Sequence, residues 1–370
     1  MDKLSSLIIT SICNDLLDSV DNQHGAIIDV LSLALTNRRL FEIVDRITTK
    51  RSLYWKRNEG VDTPGYTPDL TNPTNYLFEN NVSFKSIMIP MSITTLVFCD
   101  EFNKVITTLQ HLTSLNTLIL GRGYNKQIKN GILPNSLITL VFGQCYNQVI
   151  IPGSLPSSIT ELVFGEKYNK PFETGTLPSS LMELTLGFKF NQVIKKGDLP
   201  SITTLQFGPE YTQMISDGAL PSSLTSLIMT ENFSNKSVSF GQLPNNIKSF
   251  SQANSSVLSY PNSLTELTFG YHYNKVLDIS SLTSLKMLKF GRLYDQQILP
   301  GMIPTSLTSL SFSPNYHYPI VPGVIPTSVT YLKLGQRFNN TIILRNILPP
   351  GLRTLISLPW VATISWDIPQ

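Results

Sequence analysis

A repeat of about 22 residues runs through most of this 370-residue chain. Its clearest units are Leu-Pro-Asn-Ser-Leu-Ile-Thr-Leu-Val-Phe-Gly, Leu-Pro-Ser-Ser-Ile-Thr-Glu-Leu-Val-Phe-Gly and Leu-Pro-Ser-Ser-Leu-Met-Glu-Leu-Thr-Leu-Gly, which end at Gly143, Gly165 and Gly187. We number each unit from an anchor, which is a proline in eleven of thirteen units; the anchors are 90, 112, 134, 156, 178, 200, 221, 244, 261, 282, 304, 326 and 349. One unit cannot bury enough apolar surface to offset the entropy of ordering it, so the units must stack.

Apolar residues recur inside each unit at three, six and eight positions after the anchor, as Leu137, Leu140 and Phe142 show. This Leu-x-x-Leu-x-Leu spacing is typical of a leucine-rich solenoid, in which a short strand turns alternate side chains inward. A glycine follows at +9, and we expect it to let the chain leave the strand at a φ that other residues avoid.

An aromatic residue comes three positions after that glycine and is usually followed by asparagine, as in Tyr124-Asn125 and Tyr146-Asn147. In stacked units the aromatic rings would form an inner spine. The asparagine side chains would hydrogen-bond loop backbone that has no strand partner.

The first 57 residues have a different period, with Leu4, Ile8 and Ile12 spaced by four, which predicts helices. The chain is therefore divided into a helical module at 1–57, a Pro-rich linker at 58–75, a capping coil at 76–89, the solenoid at 90–358 and a C-terminal cap at 359–370. The predicted fold class is α+β, a small N-terminal helical module followed by a leucine-rich-repeat-like β-solenoid of about thirteen repeats.

The unit Leu-Pro-x-Ser-Leu-Thr-x-Leu-x-Phe-Gly-x-x-Tyr/Phe-Asn-x-x-Ile resembles the FNIP repeat of social amoebae and giant amoebal viruses. Residues 27–40, Ile-Ile-Asp-Val-Leu-Ser-Leu-Ala-Leu-Thr-Asn-Arg-Arg-Leu, are similar to the central part of an F-box. Together these resemblances imply a substrate receptor of a cullin–RING ubiquitin ligase. The F-box-like part would bind a Skp-type adaptor and, through it, a cullin, using Leu16, Leu17, Leu31 and Leu35, while the solenoid would hold an unknown target protein.

Composition argues against several other classes of protein. Charged residues make up 14% and the net charge is +3, too little to predict a nucleic-acid or membrane partner. The three cysteines form no CxxC, and the four histidines are scattered, so we expect no metal, no cofactor and no enzymatic activity. These features predict a cytoplasmic protein, in the host cytoplasm if the chain is viral.

The residues at +5 and +7 of each unit are expected to point outward from the strand. In the +7 row, Val97, Ile119, Val141 and Val163 are apolar on four neighbouring units, which predicts a partner-binding patch; Glu161 and Glu183 lie beside it in the +5 row. Alternatively, the β-branched residues only stabilise the strands. Two functions stay open, a ligase receptor and a free-standing binding scaffold whose N-terminal helices act only as a cap.

Overall fold

Each repeat forms one short strand at its Leu-containing segment, where alternating apolar residues favour an extended backbone. The computed structural model describes residues 75–78, 89, 91–229, 239–252, 259–335 and 347–356. These residues all belong to the second of two units of the chain, Thr67–Gln370. The strands are β1 (Asn75–Phe78), β2 (Thr95–Phe98), β3 (Thr117–Ile119), β4 (Thr139–Val141), β5 (Glu161–Val163), β6 (Glu183–Thr185), β7 (Thr204–Phe207), β8 (Ser226–Met229), β9 (Ser249–Gln252), β10 (Glu266–Phe269), β11 (Met287–Lys289), β12 (Ser309–Ser311), β13 (Tyr331–Lys333) and β14 (Thr354–Ile356).

The fourteen strands form one parallel sheet in which each strand pairs with the next along the chain. Equivalent residues are in register, so that Leu118, Leu140 and Leu162 form one row across β3, β4 and β5. The register holds even where the spacing shortens, because Ser249 of β9 pairs with Glu266 of β10, only 17 residues later. Strands β2 to β14 each follow one of the thirteen anchors, and β1 precedes them.

The predicted α+β class is wrong for the part of the chain that the structure describes, which is a parallel β-solenoid without a helix. Its helical component was inferred from the four-residue spacing in residues 1–57, and those residues lie outside the described ranges. The predicted C-terminal cap at 359–370 also lies outside them. Strand β1 begins at the last residue of the predicted linker and continues into the predicted capping coil.

The inward rows form a continuous apolar core. In the unit anchored at 134, Leu137 and Leu140 are completely buried and Phe142 is 1% exposed. The same three positions are buried in the unit anchored at 304 by Leu307, Leu310 and Phe312. Full burial of one such side chain contributes on the order of 2 kcal/mol, and stacking supplies this contribution in every layer.

The loop aromatics stack on one another within the core. The ring centroids of Tyr124 and Tyr146 are 6.3 Å apart and those of Tyr146 and Tyr168 are 6.1 Å apart, with interplanar angles of 4° and 13°. Where the strand ends in phenylalanine, the loop ring also packs against that residue, as Tyr146 does against Phe142 with ring centroids 3.9 Å apart. The predicted aromatic spine is therefore present in the structure.

The asparagine that follows each loop aromatic binds the next unit of the stack. The Asn147 backbone N–H donates to Asn125 Oδ1 at 2.9 Å, and the Asn169 N–H donates to Asn147 Oδ1 at 3.0 Å. The ladder continues to Asn191 and Thr212. These bonds satisfy loop N–H groups that no strand partner reaches, as the sequence pattern predicted.

The +9 glycines have a different role from the one expected. A Cβ added at Gly165 would overlap the carbonyl oxygen of Gly143 in the preceding unit, and the same overlap arises at Gly187 against Gly165. Close stacking of backbones, and not an unusual φ, therefore requires glycine at this position. Positive φ occurs instead in the turn three residues before the anchor, for example at Gly175, where φ is +83°.

Candidate protein-binding surface

The sheet has an inward face that forms the core and an outward face formed by the residues on either side of each central strand residue. In β3 the central Leu118 is completely buried, whereas Thr117 and Ile119 on its two sides are partly exposed. Because the strands are in register, the outward residues form two parallel rows, which we call the +5 row and the +7 row. The +7 row includes Ile119, Val141 and Val163 on successive strands.

The predicted apolar patch is contiguous, but its exposure falls along the row. Val97 and Ile119 are partly exposed, Val141 is 6% exposed and Val163 is completely buried. The side chains of Val141 and Val163 are therefore not accessible to a partner in this structure. The proposal that these residues bind a partner stays a prediction.

The two predicted acidic residues lie beside that row. Glu161 is 4% exposed, and one of its carboxylate oxygens, Oε2, accepts a hydrogen bond from Thr139 Oγ1 at 3.1 Å. Glu183 is partly buried and pairs in register with Glu161. Both carboxylates therefore lie on the outward face, with Glu161 held by a neighbouring strand.

The outward face is exposed farther along the sheet. On β10, β11 and β13 the exposed outward residues are Glu266, Met287, Lys289 and Lys333. Met287 is 42% exposed. The sequence pattern placed Lys289 and Lys333 in the +7 row but did not single them out; the change from valine to lysine along that row was the available signal.

Buried hydroxyl groups of the spine are part of the core and not of a reactive site. Burial raises the pKa of the Tyr124, Tyr146 and Tyr168 hydroxyls far above their ordinary value, so these groups are neutral at physiological pH. Burial likewise raises the pKa of the Cys99 thiol, which disfavours the reactive thiolate.

Among the residues that the structure describes there is no cluster of side chains suited to a metal ion, and no helix long and apolar enough to cross a membrane. The predicted adaptor-binding residues Leu16, Leu17, Leu31 and Leu35 lie outside the described ranges.

The repeat-family comparison settles what kind of solenoid this is. The model of the FNIP repeat matches residues 113–145, 146–189, 190–232, 283–315 and 316–356, which together are more than half of the chain. The chain belongs to the FNIP repeat family. None of the curated proteins compared with the chain matches it.

Solved structures of leucine-rich-repeat proteins are similar to this FNIP-repeat chain. The giant-virus protein CroV588, described as a novel circular LRR protein, is 34% identical with a TM-score of 0.69, covering 76% of this chain. The chain spans 42% of CroV588. A leucine-rich repeat protein from Bacteroides ovatus is 14% identical (TM-score 0.18), covering 73% of this chain and 74% of its own. YopM from Yersinia enterocolitica is 16% identical (TM-score 0.24), covering 72% of this chain and 83% of its own.

Proposed function

We propose that this FNIP-repeat protein is a scaffold that binds another protein on the outward face of its sheet. A leucine-rich-repeat solenoid of this kind is consistent with protein–protein interaction. The observation that carries the proposal is the contrast between the two faces of each strand. The central residues of β2 to β13 are buried, whereas the outward residues differ from strand to strand and include exposed apolar and charged side chains such as Met287 and Lys289.

Photo-crosslinking in the full chain tests this proposal. A photoreactive residue is introduced in place of Met287 on the outward face or, as a control, in place of Val276, which is 71% exposed on a return segment. Capture of a protein from amoebal lysate from position 287 but not from position 276 supports binding on the outward face. Equal capture from both positions, or capture from position 276 alone, would contradict it.

We further propose that the protein acts in the cytoplasm as the substrate receptor of a cullin–RING ubiquitin ligase. What supports this role is the F-box-like sequence at residues 27–40. Residues Leu16, Leu17, Leu31 and Leu35 would contact a Skp-type adaptor, and the solenoid would present the target for ubiquitin transfer. The alternative is a free-standing scaffold in which residues 1–57 act only as a cap. Repeat scaffolds of this type are typically not enzymes, and we propose no catalytic activity.

Affinity capture with two full-length baits separates these two roles. The natural chain is expected to recover an adaptor and a cullin, and Leu31→Glu with Leu35→Glu is expected to lose both while keeping the proteins that bind the solenoid. Recovery of the same solenoid partners by both baits, with the adaptor absent from each, would favour the free-standing scaffold.

A further inference from the structure

The return segments, which run from the loop asparagine to the next anchor, carry an exposed apolar row of their own. Three residues after the loop aromatic, four successive units place Val149, Pro171, Val193 and Met214. All four are exposed, Val149 by 49%, Val193 by 51% and Met214 by 60%. We call these four residues the return stripe. They belong to the segments that connect the strands and not to the outward face of the sheet.

Contacts between units place the four residues side by side. Each stands two positions after a residue of the polar ladder whose backbone N–H donates to the preceding unit at 2.9 or 3.0 Å. The loop aromatics of the same four units stack with centroids 6.1 or 6.2 Å apart. The return stripe is therefore one apolar strip that crosses four layers.

Four exposed apolar residues in neighbouring layers differ from the single ones that are ordinary on a protein surface. Together they leave on the order of 300 Å² of apolar surface uncovered, a size at which surface patches are often functional. The same row is polar and exposed at Gln127, whose Nε2 donates to the Val149 carbonyl oxygen at 3.5 Å, and at Gln297. A polar residue therefore fits this position of the unit, and stacking alone does not account for the stripe.

Charged residues lie along one margin of the return stripe. Two positions after Pro171 and Val193 come Glu173 and Lys195, which are exposed in neighbouring layers. An acidic and a basic residue therefore lie side by side next to the two central members of the stripe.

These charges make the stripe complementary to itself. When two copies pack stripe against stripe about a two-fold axis with their layers in opposite order, Pro171 of one copy meets Val193 of the second copy. Glu173 then meets Lys195 of the second copy, and the symmetry repeats this pair. Both the apolar residues and the charges are matched in this arrangement.

The other two-fold arrangement, with the layers in the same order, is less favourable. Each unit would then meet its own counterpart with the two margins exchanged. Lys170 would meet Glu173 of the second copy, but Lys126 would meet Lys129 of the second copy beside the first member of the stripe, and like charges repel. The gain from one pair is offset by the loss from the other.

We propose that two copies of this chain form an antiparallel two-fold dimer through the return stripe. With the polar residues that flank the stripe, the two copies would bury on the order of 1,200 Å², the lower end of specific interfaces. Such a contact suits a reversible dimer with a dissociation constant on the order of 10 μM. The dimer leaves the outward face of both sheets available, so it is independent of the scaffold function proposed above.

Sedimentation velocity of the full chain, from about 1 to about 200 μM, tests the proposal. The natural chain is expected to change from monomer to dimer over this range. Val193→Glu with Met214→Glu should weaken the dimer by about tenfold or more, because four carboxylates would be buried in an apolar contact. The matched control, Val105→Glu with Val276→Glu, makes the same change at positions of the same row outside the stripe that are 56% and 71% exposed, and should change the dissociation constant less than about twofold.

All four positions are exposed, so the urea midpoint of each double variant should equal that of the natural chain. This measurement separates a lost contact from a lost fold.

Reversal of the marginal charges tests the orientation. Glu173→Lys and Lys195→Glu should each weaken the dimer, because each places like charges opposite one another. An equimolar mixture of these two variants should associate as the natural chain does, because every like pair becomes an opposite pair. Lys170→Glu should have no effect on the antiparallel dimer.

Three results would overturn the inference: a monomer at every concentration, a dimer that the Val193→Glu, Met214→Glu variant retains, or a dimer weakened by Lys170→Glu and not by Lys195→Glu. A monomer that binds phosphatidylcholine vesicles through the stripe would assign it to a lipid surface instead. Crosslinking from position 287 does not depend on any of these results, so the proposed scaffold function stands or falls separately.

Discussion

The section from β4 to β6 and the section from β11 to β13 have the same interior and different exteriors. Their central leucines are equally buried, as Leu162 and Leu288 are at 0% exposure. Their outward residues in the +7 row differ, because Val163 is completely buried and Lys289 is exposed. The inward rows therefore fix the fold in both sections, while the outward rows differ between them in residue type and in exposure.

Because of this difference, we expect the same kind of substitution to have different effects in the two sections. A change at an inward position should affect stability wherever it is made. A change at an outward position should affect stability in the first section and partner binding in the second. The following three experiments test this division.

Alkaline unfolding is expected to have the largest effect and tests whether the two sections behave as one sheet. Burial raises the pKa of Tyr146 and Tyr168 in the first section and of Tyr294 and Tyr316 in the second. The unfolded chain ionises its tyrosines above pH 10, whereas the folded chain does not. The stabilisation is therefore complete below pH 10 and is lost as the pH rises above it, by about 1.4 kcal/mol per pH unit for each buried tyrosine.

Circular dichroism and tyrosinate absorbance, followed together through the alkaline range, provide the measurement. A single shared transition would show that the sections unfold together, and two transitions would separate them. Tyr168→Phe should be tolerated, since Phe102 and Phe190 already occupy the same stack. It removes one ionisable group, so the number of protons released on unfolding should fall by about one. Ionisation of the buried tyrosines before the loss of dichroism would contradict the argument.

Substitution of a +9 glycine is expected to have the next largest effect, and an equal one in both sections. Gly165→Ala should destabilise the protein by about 3 kcal/mol, because the new methyl group overlaps the carbonyl oxygen of Gly143. Gly291→Ala should cost a similar amount through overlap with Gly270.

Gly175→Ala is the control, because its added Cβ meets nothing within 4 Å and only its positive φ is unfavourable, at a cost of about 1 kcal/mol. Urea midpoints measured on the three variants provide the comparison. Equal shifts at Gly165 and Gly175 would show that backbone crowding is not the reason for glycine at +9.

Truncation of an outward valine is expected to have the smallest effect and separates a covered from an uncovered part of the face. Val163→Ala should cost about 2 kcal/mol, since the residue is completely buried. Val97→Ala makes the same chemical change in the same row at a partly exposed position and should cost about half as much. Thermal melts of the two variants provide the measurement. Equal losses of stability would show that Val97 and Val163 are equally covered and would contradict the prediction.

The repeating parts of the fold could be predicted from the sequence because they depend on local spacing. The leucines at +3 and +6, the aromatic stack and the asparagine ladder all follow from one period and one stacking rule. The role of the +9 glycine could not be predicted, because the atom that excludes a side chain at Gly165 belongs to the preceding unit.

For the candidate surface, the sequence predicted only which residues share a row and not which of them are exposed. Spacing correctly placed Val141 and Val163 in one row, but exposure depends on what packs against a strand and not on the alternation within it. The change from Val163 to Lys289 along that row was visible in the sequence, but their different exposure was not. The α+β class failed for a different reason, since it combined the solenoid with a helical pattern in residues 1–57.

The preserved register between β9 and β10 has a consequence for how such chains change in evolution. Ser249 pairs with Glu266 although the unit between them is five residues shorter than the usual 22. A deletion in a return segment therefore leaves the sheet intact, whereas a single-residue deletion within a strand would turn its leucine outward. Insertions and deletions among related chains should accumulate in the return segments, and whole units should be gained or lost by duplication.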